Sequence, residues 1–216
     1  MIVVGGMIGL GKTSVAQAIG EYFGSEVFYE SVDDNKILPL FYTSSPEEIS
    51  SKRYPFLLQL WFLDTRFKSI KAALGNDNNV LDRSIYEDWY FARKNMELNR
   101  ISDLEMEVYE NLAGNMMEEL NELPKKSPDL MVYLKGSFET VIERINKRGR
   151  SYELDDELVE YYRFLWQDYD NWVMNHYKAS EVLVIDMDKT DIVANEEDKR
   201  KVLTDIENRL ADIRNA

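Results

Sequence analysis

The chain has 216 residues, enough for one domain with a substantial core. Hydrophobic residues make up 44% and charged residues 31%, while 40 Asp and Glu against 26 Lys and Arg leave a formal charge of −14. Such a surface repels nucleic acid and anionic membranes, so neither is expected as a partner, and the absence of cysteine excludes disulfides and thiolate metal sites.

In chain order, Ile2-Val3-Val4 reads as a short apolar strand entering a Gly-rich turn, and Thr13 to Tyr22 as a helix. Val27-Phe28-Tyr29 is a second strand ending at Glu30, and Thr43 to Arg53 is expected to be an exposed loop. Pro55 to Leu74 predicts a long amphipathic helix, and Asn79-Val80-Leu81 a third strand that ends in Asp82-Arg83-Ser84. Helices follow at 85–95 and 103–122. Leu130 to Leu134 and Val182 to Ile185 are the fourth and fifth strands, with helices near 138–147 and 155–177 between them and a last helix from 196.

Short apolar strands alternating with helices predict an α/β fold: a five-stranded parallel sheet covered on both faces. No linker divides the chain, so 1–216 is expected to be a single domain. Ligands of such sheets bind beyond the C-terminal ends of the strands. The N-terminus enters a strand with no basic region or cleavage pattern, and no apolar run approaches the roughly 20 residues that span a bilayer. The expected location is cytoplasmic.

Gly6-Met7-Ile8-Gly9-Leu10-Gly11-Lys12-Thr13 has the Gly-x-x-x-x-Gly-Lys-Thr spacing of a phosphate-binding loop, between a strand and a helix as that motif requires. Gly6, Gly9 and Gly11 let backbone N–H groups turn inward around an anion, and the following helix adds its positive end. Lys12 would reach the outer phosphates of ATP, and the Thr13 hydroxyl would ligate Mg²⁺. Arg144, Arg148 and Arg150 form the densest basic cluster of an acidic chain. Guanidinium groups suit phosphate oxygens, so the cluster reads as an Arg-rich lid at about 144–153 or as a helix end whose cations complement the dipole.

On the acceptor side, Glu30 ends a strand at the crevice. It can accept the proton of an attacking hydroxyl or simply begin a helix near Asp33. Asp82, after an apolar strand, stands where an acidic group on the Mg²⁺ side is usual, or caps a helix. Gln59, Phe62 and Arg66 share one helix face. That face offers an amide, an aromatic surface and a guanidinium to a flat heterocycle, although a core-facing Phe is the commoner meaning of one such residue as Phe62.

Five motifs resemble the deoxynucleoside kinases of the deoxycytidine/deoxyguanosine kinase family, the bacterial deoxyadenosine and deoxyguanosine kinases above all. They are the phosphate loop, Tyr29-Glu30-Ser31-Val32, Tyr54-Pro55-Phe56-Leu57-Leu58-Gln59 with Arg66, Asp82-Arg83-Ser84-Ile85-Tyr86-Glu87-Asp88, and Arg148-Gly149-Arg150-Ser151-Tyr152-Glu153. The resemblance spans nearly the whole chain and implies a P-loop kinase fold and ATP-dependent, Mg²⁺-assisted phosphorylation of a deoxynucleoside 5′-hydroxyl. The acceptor it implies is a purine, deoxyadenosine before deoxyguanosine. It makes Glu30 the general base, Arg83 the arginine that holds that base and the 5′-oxygen, and Asp82 an Mg²⁺-side carboxylate. Gln59 pairs with the base edge, Arg66 and Asp88 reach the base from two helices, and Arg144, Arg148 and Arg150 are lid arginines. Tyr42 and Glu153 hold the 3′-hydroxyl, although a short insertion between Tyr42 and Gln59 leaves Tyr54 as the alternative to Tyr42, and the stacking aromatic falls near Phe91 or Ala92. Asp82 and Ser31 depart from the Glu and Pro usual in animal members. A homodimer through the helices near 55–75 and 103–122, or a heterodimer with a related subunit, is expected. A nucleoside monophosphate kinase is the alternative activity. It would need further basic residues for an acceptor phosphate, and a non-catalytic P-loop subunit would need switch segments that the sequence lacks.

Overall fold

Ile2–Gly6, five consecutive buried residues, form strand β1 in the computed structural model, which describes residues 1–30, 32, 34–119, 127–149 and 156–215. The elements that follow are α1 (Lys12–Phe23), β2 (Val27–Phe28), α2 (Leu38–Thr43), α3 (Pro46–Ser51), α4 (Tyr54–Ala73), β3 (Val80–Asp82), α5 (Ile85–Glu97) and α6 (Asp103–Glu119). The chain continues with β4 (Leu130–Lys135), α7 (Phe138–Arg148), α8 (Asp156–Asn175), β5 (Glu181–Asp186) and α9 (Glu196–Asn215). All strands join one parallel sheet in the order β2-β3-β1-β4-β5. β1, β3 and β4 are interior strands buried on both faces, which is why their sequences are nearly continuous apolar runs. The edge strands are a two-residue β2 and a β5 with Val184 exposed.

Backbone contacts group the chain into two compact units. The first, Met1–Tyr29 with Ala73–Arg83 and Ser127–Ala216, carries the whole sheet. In it α1 packs on β1 and β3, and α9 packs on β4, β5 and α1. Asn79 ties the turn before β3 together, its side-chain amide donating to Ala73 O at 3.1 Å while its oxygen accepts from Glu26 N at 3.0 Å. The winding places β3 and β4 on either side of β1, so the loop after β1 leaves the sheet where chain direction diverges, the usual ligand-binding position of an open parallel sheet.

The second unit, Glu30–Ala72 with Ser84–Lys126, is helical. Its core includes Leu58, Leu63, Phe67, Tyr90, Ala92, Met106 and Tyr109, and α5 packs against α6. A capping box opens α5: Ser84 Oγ accepts from Glu87 N at 3.1 Å, and Glu87 accepts from Ser84 N at 2.8 Å. The stretch 43–53, expected as a loop, instead contains α3 and adjoins α2. Ser45 caps α3, its hydroxyl accepting from Glu48 N at 3.2 Å, and Pro46 occupies the first turn, where its missing N–H costs nothing. The residues read as loop formers are therefore helix starters, although the segment is largely exposed as expected.

Arg53 fixes the entry to α4 through an ion pair with Glu105 at the start of α6, its Nε donating to Glu105 Oε1 at 2.7 Å and its Nη2 to Glu105 Oε2. The Arg53 guanidinium, joined by Ser102, holds the Glu105 carboxyl down from 4.5 to about 2. A carboxyl depressed in the folded state contributes its full stability above its unfolded pKa and loses it as pH falls. The contribution should therefore be complete above pH 4.5 and fade toward pH 2. Urea unfolding over that range should show wild-type stability falling more steeply than that of Arg53→Met, with the two converging at the acid end. Parallel slopes would mean the pair contributes nothing. Among the described residues no helix is long and apolar enough to cross a membrane.

Candidate active site

The residues singled out in sequence fall into two sets, one in each unit. In the first unit, Val4 pairs with Asp82 in register, so the loop after β1 and the end of β3 emerge side by side. The loop turns through Gly9 and Gly11 at φ 87° and 86°. A Cβ on Gly9 would lie 2.8 Å from Ile145 Cγ1 and 3.1 Å from Val141 O, and one on Gly11 would lie 3.4 Å from Arg144 Nη1. Gly9 is thus needed twice over, for left-handed backbone and for the close approach of α7, and Gly11 for its backbone alone. Lys12 is buried at the start of α1, its Nζ donating to Met7 O at 2.9 Å, so the amine lies across the loop. The Thr13 hydroxyl donates to Asp82 Oδ2 at 2.7 Å. A hydroxyl and a carboxylate held this way suit a hard cation that also takes phosphate oxygens and water. The described residues contain no cluster of three or more His, Cys, Asp or Glu that would form an all-protein cage. Arg83 follows directly, buried, at φ 78°, with its N–H bonded to Val4 O at 2.9 Å.

Arg144 lies on α7, and its guanidinium is held by backbone carbonyls: Nη1 donates to Leu10 O at 3.2 Å, and Nη2 to Met187 O at 3.1 Å and Thr190 O at 3.4 Å. It therefore links the phosphate loop to the loop after β5. Asp188, to which the sequence assigned no role, fixes the other end of α7 by accepting from Ser137 N at 2.9 Å, Ser137 Oγ at 3.0 Å and Thr140 Oγ1 at 2.6 Å. The Thr140 hydroxyl first, then the Ser137 amide, hold its carboxyl below the usual carboxylate range. Arg148 is exposed in the last turn of α7. Arg150 and Glu153 lie outside the described residues.

In the second unit, Arg66 on α4 sits between two carboxylates. Its Nε donates to Asp88 Oδ2 of α5 at 3.0 Å, and its Nη2 lies 3.4 Å from Glu30 Oε1. Arg66 and Asp88 are almost fully buried, with 3% and 2% of their side chains exposed, whereas Glu30 keeps 21%. Gln59 and Phe62 lie on the same helix as Arg66. Gln59 is buried, and its Oε1 has no hydrogen-bond partner among the described residues, while Phe62 is half-buried. Tyr42, on α2, is half-buried against Phe41. The Tyr54 hydroxyl is occupied by Glu48 of α3, at 3.4 Å.

Tyr109 of α6 escaped sequence reasoning because it looks like any core aromatic of an amphipathic helix. It is fully buried, its hydroxyl has no partner among the described residues, and burial together with the Asp88 charge pushes its pKa well above the usual tyrosine value. An unmatched buried hydroxyl costs about 1–3 kcal/mol. Tyr109→Phe should therefore leave the thermal midpoint unchanged or raise it, and a clear drop would show that the hydroxyl has a partner in solution.

Known proteins resemble this chain along its length. A family model described as deoxynucleoside kinase matches residues 2–211. A deoxyguanosine kinase of Lactobacillus johnsonii is 47% identical over 99% of this chain and 93% of its own length. A deoxyadenosine kinase of Lactobacillus acidophilus is 40% identical over 100% of this chain and 98% of its own. A solved structure of deoxyadenosine kinase from M. mycoides with bound dATP superposes with a TM-score of 0.75 at 27% identity, covering 95% of this chain and 98% of that one.

Proposed function

This chain belongs to the deoxynucleoside kinase family, and we propose that it transfers the γ-phosphoryl group of ATP to the 5′-hydroxyl of a purine deoxynucleoside. The donor set is the phosphate loop with Lys12, Thr13 and Asp82; the acceptor set is Glu30, Gln59, Phe62, Arg66 and Asp88. The observation that carries the acceptor assignment is the buried Oε1 of Gln59, unmatched among the described residues, on the helix that also presents Arg66 to Asp88 of α5. A buried amide oxygen without a partner is costly, and a heterocycle offering a donor at its edge would satisfy it.

In this reading Glu30 accepts the proton of the 5′-hydroxyl as the oxygen attacks the γ-phosphorus. The bond to the β-phosphate oxygen breaks, and ADP leaves with that electron pair. The loop N–H groups and Lys12 neutralise charge on the phosphates. Thr13 and Asp82 would hold Mg²⁺, and the ion would there supply neutralisation of charge on the triphosphate. Arg83 and the lid arginines Arg144, Arg148 and Arg150 complete the cationic surroundings, with Tyr42 and Glu153 assigned to the sugar 3′-hydroxyl.

A purine is favoured because the relatives at 47% identity are deoxyguanosine kinases and that at 40% is a deoxyadenosine kinase, so both purines are first choices. Incubation with Mg-ATP and each of the four deoxynucleosides should give a 5′-monophosphate, fastest with deoxyguanosine or deoxyadenosine. Absence of product from all four would sink the reading. We place the activity in the cytoplasm, where ATP is available.

The partner is proposed to be a second copy of the chain. Leu104, Val108 and Leu112 recur every fourth residue on α6 and are 70%, 49% and 38% exposed, and Leu57 of α4 is 40% exposed. An apolar stripe of this kind is uncommon on a monomer. Sedimentation velocity should give the mass of a dimer, and Val108→Glu should reduce it to that of a monomer.

A further inference from the structure

Arg66 does more than its assignment to the base requires. It is a single cation shared by two carboxylates of different function: Asp88, assigned to the heterocycle, and Glu30, assigned to the hydroxyl that reacts. The bond to Asp88 is short and buried, and the contact with Glu30 is longer and reaches a partly exposed group. The positive charge is therefore divided unequally, and the weaker arm is the one on the proposed proton acceptor.

Such sharing couples the two carboxylates. A carboxylate paired with a guanidinium is a poorer proton acceptor and is drawn toward its partner. Groups that hydrogen-bond to Arg66 from the edge of a heterocycle compete for the same N–H donors, which lie in one plane and number five. We infer that Arg66 is a latch on Glu30: with no nucleobase bound it restrains the general base, and a nucleobase that engages Arg66 and Asp88 releases Glu30 toward the 5′-hydroxyl. Base recognition then enters turnover as well as affinity. An acceptor that presents a hydroxyl without a suitable base meets a base that is held back, which disfavours phosphorylation of free sugars and of water. Arg66 acts here through Glu30 and is a positioning residue in that step. The inference rests on the reading of Glu30 as general base.

The test divides the substrate in two. Methyl 2-deoxy-β-ribofuranoside supplies the 5′-hydroxyl without a base, and free guanine or adenine supplies the base without a sugar. With wild-type enzyme, Mg-ATP and the furanoside, added guanine or adenine should raise the rate of 5′-phosphorylation saturably, by about 5- to 150-fold, the usual range of coupling between two ligands. Cytosolic sugar turnover is not at issue, only whether one half of the substrate activates the other. In the neutralised variant Arg66→Gln/Asp88→Asn, which leaves no buried unpaired charge, the furanoside rate should be higher than wild type without any added base and should no longer respond to it. A furanoside rate in wild type that is unchanged or lowered by either purine would overturn the latch, as would a variant slower than wild type on the furanoside. Because the wild-type measurement needs no substitution, failure of the variant to fold leaves the test intact. Whole deoxynucleosides run in parallel separate the two claims. Monophosphate from these without activation by free base removes the latch alone, and no monophosphate from any of them removes the kinase reading and the latch with it.

Discussion

Replacing Glu30 with Gln is expected to lower kcat by ~10²–10⁴-fold, the range typical of losing a general base, while the KM for ATP stays near its wild-type value. The substitution keeps the size of the side chain and its contact with Arg66, and removes only the capacity to take a proton. The substitution alters neither the phosphate loop nor Lys12, Thr13 and Asp82, to which ATP binding is assigned under the proposed function. Steady-state kinetics with a purine deoxynucleoside, together with a direct measurement of ATP binding, would check both halves. A kcat within a few fold of wild type would remove Glu30 as the base and would equally remove the need for a latch upon it.

Asp88→Ala should be the most damaging substitution for stability. Asp88 and Arg66 are buried to within 2% and 3% of full cover, so removing the carboxylate takes the shorter of two carboxylate contacts from a guanidinium held away from water. Breaking a buried pair from one side typically costs about 3–5 kcal/mol, whereas replacing both members with apolar residues of similar volume is often close to neutral. Urea unfolding should accordingly rank Asp88→Ala well below the double variant Arg66→Met/Asp88→Leu, with the double variant near wild type in stability but without deoxynucleoside kinase activity. If the single variant were as stable as wild type, water or the Glu30 carboxylate would have to compensate the Arg66 guanidinium, and the pair could not be the buried feature on which base recognition is built.

Much of the fold was legible because its signals are local. β1, β3 and β4 are covered on both faces and read as apolar runs, and the phosphate loop is a contiguous pattern whose strand and helix neighbours can be read with it. The segment 43–53 was misread for an equally local reason: Ser45-Pro46 serves a turn or a helix start, and only the bond from Glu48 N to Ser45 Oγ decides between them. The candidate site residues could be named one by one from the sequence, but the contacts among them could not. Arg144 stands out as a cation in an acidic chain, yet its bond to Leu10 O crosses 134 positions. The bond from Thr140 to Asp188 crosses 48 positions. Neither leaves a periodic trace. Likewise, Glu30 and Arg66 could each be singled out, but that one guanidinium serves both Glu30 and Asp88 follows only from how three separate segments fold together.

Arg83 occupies a backbone conformation that glycine adopts freely and that other residues resist, at φ 78°. Holding a non-glycine residue there costs on the order of 1–3 kcal/mol, in a protein whose whole margin of stability is expected to be only about 5–15 kcal/mol. Replacement by glycine would relieve that strain at once. Under the role proposed for Arg83, Arg83→Gly would therefore gain stability while losing turnover, the exchange to expect wherever a search for thermostable variants reaches this position.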